Sequence, residues 1–171
     1  MFVLKVKLVL NLKYQNNFKK NHWSFKKIVR FLIFFYMNRI EYYGIVYELD
    51  EKEKTAAVIQ TSQYIQSLII PRLINHESQK YNVTSILNEA LSCYTIKSVC
   101  IPMTVIELKK GWCSKTISIT NIQVSSKNPR YKTYEDKFII GKSSLEQENY
   151  DVLAFCVRNV KKVTIPSFIE I

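Results

Sequence analysis

A chain of 171 residues with a formal net charge of +11 has room for one domain, and only three glycines and four prolines punctuate it. So few glycines exclude a Gly-rich phosphate loop, a dinucleotide-binding fingerprint and a collagen-like repeat. Residues 1–40 carry nine cations and no acid, whereas the other 131 residues hold 16 basic and 14 acidic side chains, so the body of the chain is nearly neutral and its total charge is no nucleic-acid signature.

In chain order, the first segment is a basic, aromatic leader. Phe2-Val3-Leu4-Lys5-Val6-Lys7-Leu8 alternates apolar residues with lysine, a strand-like pattern that interrupts any secretion-signal core. The apolar run from Ile28 to Met37 is about ten residues long, short of the ~20 needed to span a bilayer. Residues 1–40 are therefore expected to be a leader that is poorly ordered or wrongly assigned, with translation starting at Met37, or a segment lying on an anionic surface.

The body, 41–171, opens with two alternating segments, Tyr43-Gly44-Ile45-Val46-Tyr47-Glu48-Leu49 and Thr55-Ala56-Ala57-Val58-Ile59, around the charged turn Asp50-Glu51-Lys52-Glu53-Lys54. This predicts a β-hairpin. Beyond it a word recurs four times. Ile65-Gln66-Ser67-Leu68-Ile69-Ile70-Pro71 aligns with Ile96-Lys97-Ser98-Val99-Cys100-Ile101-Pro102, then with Ile119-Thr120-Asn121-Ile122-Gln123-Val124-Ser125, and finally with Val160-Lys161-Lys162-Val163-Thr164-Ile165-Pro166. The form is apolar-x-x-apolar-x-apolar, and proline, which cannot donate to a ladder, ends three of the four.

The offsets are 31, 23 and 41, a period of 23 with insertions of 8 and 18 residues, which falls among solenoid repeats. The last two apolar positions of a word, such as Val99 and Ile101, lie two apart and so share one strand face. Between words, Ser85–Cys93 has apolar residues at Ile86, Leu87, Ala90 and Leu91, the spacing of a short amphipathic helix, and Leu108–Cys113 is its weaker counterpart. The 18-residue insertion contains Asp136–Lys142 and Tyr150–Cys156, read as two strands of a projecting hairpin.

One word alone does not fold. Burying three aliphatic side chains returns about 5 to 9 kcal/mol, while ordering some twenty residues costs roughly 1 to 2 kcal/mol each. Consecutive words must stack and share their dry faces.

Val83-Thr84-Ser85-Ile86, Ala90-Leu91-Ser92-Cys93 and Ile96-Lys97-Ser98-Val99-Cys100-Ile101-Pro102 together resemble one coil of the BspA-like leucine-rich-repeat family of surface antigens, and the opening hairpin resembles that of its protist members. The resemblance covers 41–171. It implies an α/β solenoid: a right-handed, strand-rich leucine-rich-repeat stack with an N-terminal hairpin cap and an inserted hairpin. Gly111-Trp112-Cys113 departs from the family's Ala-Phe, and the last coil is expected to be incomplete.

No catalytic constellation is legible. His22 and His76 lie far from any patterned acid or thiol, and Cys93, Cys100, Cys113 and Cys156 lack the C-x-x-C pairing of metal or redox sites. Neither enzyme activity, metal, cofactor nor small-molecule substrate is expected. The expectation is a binding scaffold for a protein partner, which the resemblance places at a cell surface, in adhesion or contact with a host, although no signal peptide or membrane span is visible. Its candidate contacts are the outward strand positions Lys97, Ser98, Cys100, Thr120, Gln123, Lys161, Lys162 and Thr164. The competing expectation is contact with a membrane or nucleic acid through residues 1–40.

Overall fold

A computed structural model describes residues 38–169. The leader readings, at 2–8 and 28–37, lie outside the described residues. Within 38–169 the chain forms twelve strands: β1 Arg39–Tyr42, β2 Ile45–Asp50, β3 Thr55–Thr61, β4 Ser67–Ile69, β5 Leu73–His76, β6 Gln79–Ile86, β7 Ser98–Ile101, β8 Glu107–Leu108, β9 Asn121–Val124, β10 Tyr131–Tyr134, β11 Phe138–Gly141 and β12 Val152–Cys156.

The opening hairpin forms as expected and gains a third strand. β2 and β3 pair antiparallel, Tyr47 opposite Val58, and β1 adds to β2 across the two-residue turn Tyr43-Gly44, both at positive φ, the backbone of a type I′ turn. Alternation sorts the faces: Ile45, Tyr47 and Leu49 of β2 and Ala56 and Val58 of β3 are buried. In the charged turn the Asp50 carboxylate accepts the amides of Lys52 and Glu53 at 2.9 and 3.0 Å.

From β3 onward the chain alternates between two sheets. β3, β6 and β8 join one of them in parallel, and β4, β7 and β9 join the other in parallel. Each visit lands one place further along. The register in the second sheet is the alignment of the repeated words: Leu68 opposite Val99 opposite Ile122, and Ile69 opposite Cys100 opposite Gln123.

The dry positions meet as the repeat requires. Leu68, Ile70, Ile96, Val99, Ile101, Ile119 and Ile122 are buried in one core, with Val124 half-buried against it. The word's paired x-x also has a backbone cause. Gln66 O accepts both Lys97 N (2.8 Å) and Ser98 N (3.2 Å), and Lys97 O accepts both Thr120 N (2.9 Å) and Asn121 N (3.1 Å). Two residues thus oppose one, as in a bulge, and two consecutive side chains face outward before alternation resumes.

Two expectations are corrected. First, the class is not α/β: there is no helix among the described residues. In Ser85–Cys93 two amides that would bond up a helix bond across to the next stretch of chain, and in Leu108–Cys113 Lys109 N bonds back to Ile86 O while Trp112 N closes only a turn onto Lys109 O. Glu89 N reaches Gly111 O at 3.0 Å and Leu91 N reaches Trp112 O at 2.9 Å, while Glu89 has a φ of 55°, which no right-handed helix accommodates. Apolar spacing there serves tight turns: Ala90, Leu91, Trp112 and Cys113 are buried without it being helical.

The eight-residue insertion, whose form the offsets do not specify, is a hairpin of its own. β5 and β6 pair antiparallel about Glu77-Ser78, with φ of 47° and 65°. Second, the fourth word, 160–166, forms no strand. The outward amide of Val124 on the free edge of β9 is already taken by Thr133 Oγ1 at 2.9 Å. Val160 alone of that word packs on the main core, and Val163 and Ile165 are exposed.

The expected inserted hairpin is present as β11 and β12, and β10 completes a three-stranded antiparallel sheet. β11 is buried on both faces: Ile139 joins the main core, whereas Phe138 and Ile140 form a second cluster with Ile169.

Candidate functional site

Hydrogen bonds between successive stretches fix the outer face of β4, β7 and β9. Thr95 Oγ1 donates to Gln63 O and Ile65 O at 2.9 and 2.8 Å, Ser118 Oγ to Ile96 O at 2.6 Å, and Thr116 Oγ1 to Leu91 O. Each hydroxyl belongs to the later stretch and each carbonyl to the earlier one. Asn128 does the same at the far side, its amide donating to Pro102 O and Val105 O at 2.9 and 2.8 Å. These bonds satisfy backbone carbonyls of the turns, buried at Leu91 and Val105 and more exposed at Gln63 and Ile65.

Five of the eight residues expected at the site come together on that face. Lys97 and Thr120 sit side by side with Gln66, joined through their backbones. Ser98 lies between Ser67 and Asn121, and Cys100 between Ile69 and Gln123. The Cys100 thiol points at Gln123 Oε1, 3.8 Å away. Lys161, Lys162 and Thr164 are not part of this sheet. They lie in the exposed stretch that follows the bond from Arg158 N to Ile119 O, 2.9 Å.

The residues expected from the sequence do not include Ile69, an exposed apolar position within β4. Its position in the alignment, equivalent to Cys100 and Gln123, marks it as outward-facing. Tyr64, Tyr94 and Ile117, just ahead of the three strands, are likewise exposed. Nothing in their residue type signals this.

The four cysteines are free thiols. Cys93 and Cys113 are buried, and burial pushes the Cys113 thiol up to about 11, against the opposing pull of Arg158. Among the described residues no cluster of three His, Cys, Asp or Glu side chains is placed to hold a metal ion.

A separate cleft of about 610 Å³ lies beside the inserted sheet, lined by Lys132, Gln147, Glu148, Asn149, Tyr150, Asp151 and Phe168. Lys132 Nζ stands 4.0 Å from the centre of the Tyr150 ring, a cation–π contact. The Asp151 carboxylate is buried, which alone would raise its pKa. Hydrogen bonds from Ser143 N (2.9 Å) and Gln147 Nε2 (2.9 Å) outweigh that and hold it below the ordinary carboxylate value.

No family model matches the chain, and no curated protein does. The solved structures it is similar to include a leucine-rich repeat protein from Bacteroides capillosus, at 19% identity and a TM-score of 0.45, covering 52% of this chain and 66% of that one. A leucine-rich cell surface protein from Faecalibacterium prausnitzii gives 20% identity and 0.47, covering 53% and 24%. A leucine-rich repeat protein from Bacteroides ovatus gives 23% and 0.44, covering 52% and 24%. This chain thus spans just under two thirds of the first of these structures and about a quarter of each of the other two, and its structural neighbours are leucine-rich repeat proteins over about half of its length.

Proposed function

We propose that residues 41–171 form a short right-handed solenoid of the leucine-rich-repeat type, and that it is a non-enzymatic scaffold which binds a protein partner through the outer face of β4, β7 and β9. The observation that carries this reading is the register of that sheet. Three words separated by 31 and 23 residues pair position for position, while the intervening strands β3, β6 and β8 step along a second parallel sheet in the same order. Alternate visits to two advancing parallel sheets are what a coil produces, and parallel crossovers are right-handed almost without exception.

The binding role follows from what such a stack displays. The dry side of every word is spent on its neighbours, and the wet side is a rigid array of side chains at fixed spacing, suited to an extended macromolecular surface. The resemblance to the BspA-like family points the same way, to contact at a cell surface.

A photo-crosslinking residue placed at Gln123, and a control at Lys52 on the charged hairpin turn, test the reading in extracts of the source cell. Capture of a discrete protein from position 123 and not from position 52 is the expected result. Equal capture at both positions, or none at 123, removes the support for a binding face.

A further inference from the structure

The sheet of β4, β7 and β9 has one open edge. On β7, Ser98 and Cys100 turn their backbone groups toward β4: Ser98 N donates to Gln66 O at 3.2 Å, and Cys100 O accepts Ile70 N at 3.1 Å. Ser67 and Ile69 hold the same two positions one word earlier. Their amides and carbonyls therefore point the other way, where β4 has no neighbouring strand. Neither residue finds a backbone partner there among the described residues, and both side chains are exposed. The comparable edges are covered. β3 is flanked by β2, and β10 closes the far ends, where Leu108 N donates to the Tyr131 hydroxyl at 3.2 Å and Val124 N to Thr133 Oγ1 at 2.9 Å.

The chain also carries a word without a strand. The segment 160–166 keeps the apolar-x-x-apolar-x-apolar spacing and the closing proline. It is held at its two ends, by Val160 on the main core and by Ile169 in the second cluster, and every residue from 161 to 165 is exposed. Val163 and Ile165 are 37% and 42% exposed, although the same positions are buried or half-buried in each of the three ordered words. Within one molecule this segment follows the bond from Arg158 N to Ile119 O, just ahead of β9, and β7 separates β9 from β4. The open edge that it matches is therefore that of another molecule.

We infer that the fourth word of one molecule adds as a strand to the free edge of β4 in a second copy of this chain, in the parallel register that the ordered words share. In that register Lys161 O does for Gln66 N and Ser67 N of the second copy what Gln66 O does for Lys97 N and Ser98 N. Ile165 N donates to Ile69 O of the second copy, as Ile70 N does to Cys100 O. Val163 then extends the row of Leu68, Val99 and Ile122. Pro166 is no obstacle, because Pro71 and Pro102 follow β4 and β7 at the same place. The contact is heterologous and leaves a free word at one end and a free edge at the other. A net charge of +11 on each copy opposes it at low salt. This contact joins copies of the chain and does not involve the partner proposed above.

Sedimentation of the full chain over about 5 to 200 µM tests the contact. Wild type is expected to pass from monomer to dimers and larger species, about tenfold more tightly at ~0.3 M salt than at ~0.05 M. Ile69→Pro removes the outward amide, and V163D/I165D charges the added strand. Each variant is expected to stay monomeric with an unchanged melting midpoint, because that amide makes no bond within the molecule and the two side chains are exposed. Mixed one to one, they supply each other's missing half and are expected to form a dimer and nothing larger. Ile69→Lys, which leaves the backbone intact and charges the edge, takes the place of the proline variant if that one fails to fold, and is expected to weaken association about tenfold. A wild type that remains monomeric throughout overturns the inference. So does either variant associating as wild type does, the outcome if two β4 edges paired with each other or the leader joined the copies, and so does a mixture that yields no dimer.

Discussion

At the scale of single residues, two buried polar side chains make opposite predictions. Asn128 is 5% exposed and uses its full bonding capacity: its amide donates to Pro102 O and Val105 O, and its Oδ1 accepts Arg130 N at 2.9 Å and Tyr131 N at 2.8 Å. Asn128→Ala strands four backbone groups and is expected to cost about 2 to 4 kcal/mol in urea unfolding. Asn128→Asp is expected to fall short of rescue, since a carboxylate keeps the acceptor and loses both donors. Tyr47 is the reverse case. Its phenol is buried with no hydrogen-bond partner among the described residues, and burial, then Tyr42, push its ionisation upward. Tyr47→Phe removes an unmet desolvation cost and is expected to raise stability by about 1 kcal/mol; a loss of that size would mean the hydroxyl is bonded after all.

Among the elements, the β5–β6 hairpin shows why some structure was legible in the sequence and some was not. Its two-residue turn holds Glu77 and Ser78 at positive φ, the conformation that Asn-Gly adopts with least strain, and without that pair the sequence betrays only an insertion of eight residues. Substituting E77N/S78G is expected to stabilise the protein by about 1 kcal/mol and to slow amide exchange at Leu73–His76; an unchanged midpoint would show that the turn stores no strain. The repeated words were legible because burial needs the same spacing each time, down to the register that sets Val99 between Leu68 and Ile122. The helices expected at Ser85–Cys93 and Leu108–Cys113 failed because apolar i, i+3, i+4 spacing records only which side chains are dry, not where the amides bond. The fourth word failed because its spacing is intact but its ladder partner is occupied by Thr133, a contact no local pattern announces. Of the eight residues expected at the site, the five on ordered words were therefore placed together, and the three on the fourth word were not.

Across the whole molecule, the two hydrophobic clusters divide the consequences of a core substitution. Leu68, Val99 and Ile122 occupy one row of the main core, whereas Phe138, Ile140 and Ile169 form a small cluster on the far side of β11. In a stack each layer is stabilised chiefly by the layers it touches, so damage at the middle layer is transmitted both ways along the row. Val99→Ala is expected to cost about 2 kcal/mol, through lost transfer energy and the cavity left behind, and to reduce amide protection in β4 and β9 together. Ile140→Ala is expected to cost a similar amount while loosening β10, β12 and the segment around Ile169, with β4 and β7 keeping their protection. Hydrogen exchange read residue by residue separates these patterns. If both substitutions lowered protection evenly over all twelve strands, the molecule would be a single cooperative unit, and the proposed layer-by-layer stacking, with the rigidity it would lend the proposed binding face, would not describe it.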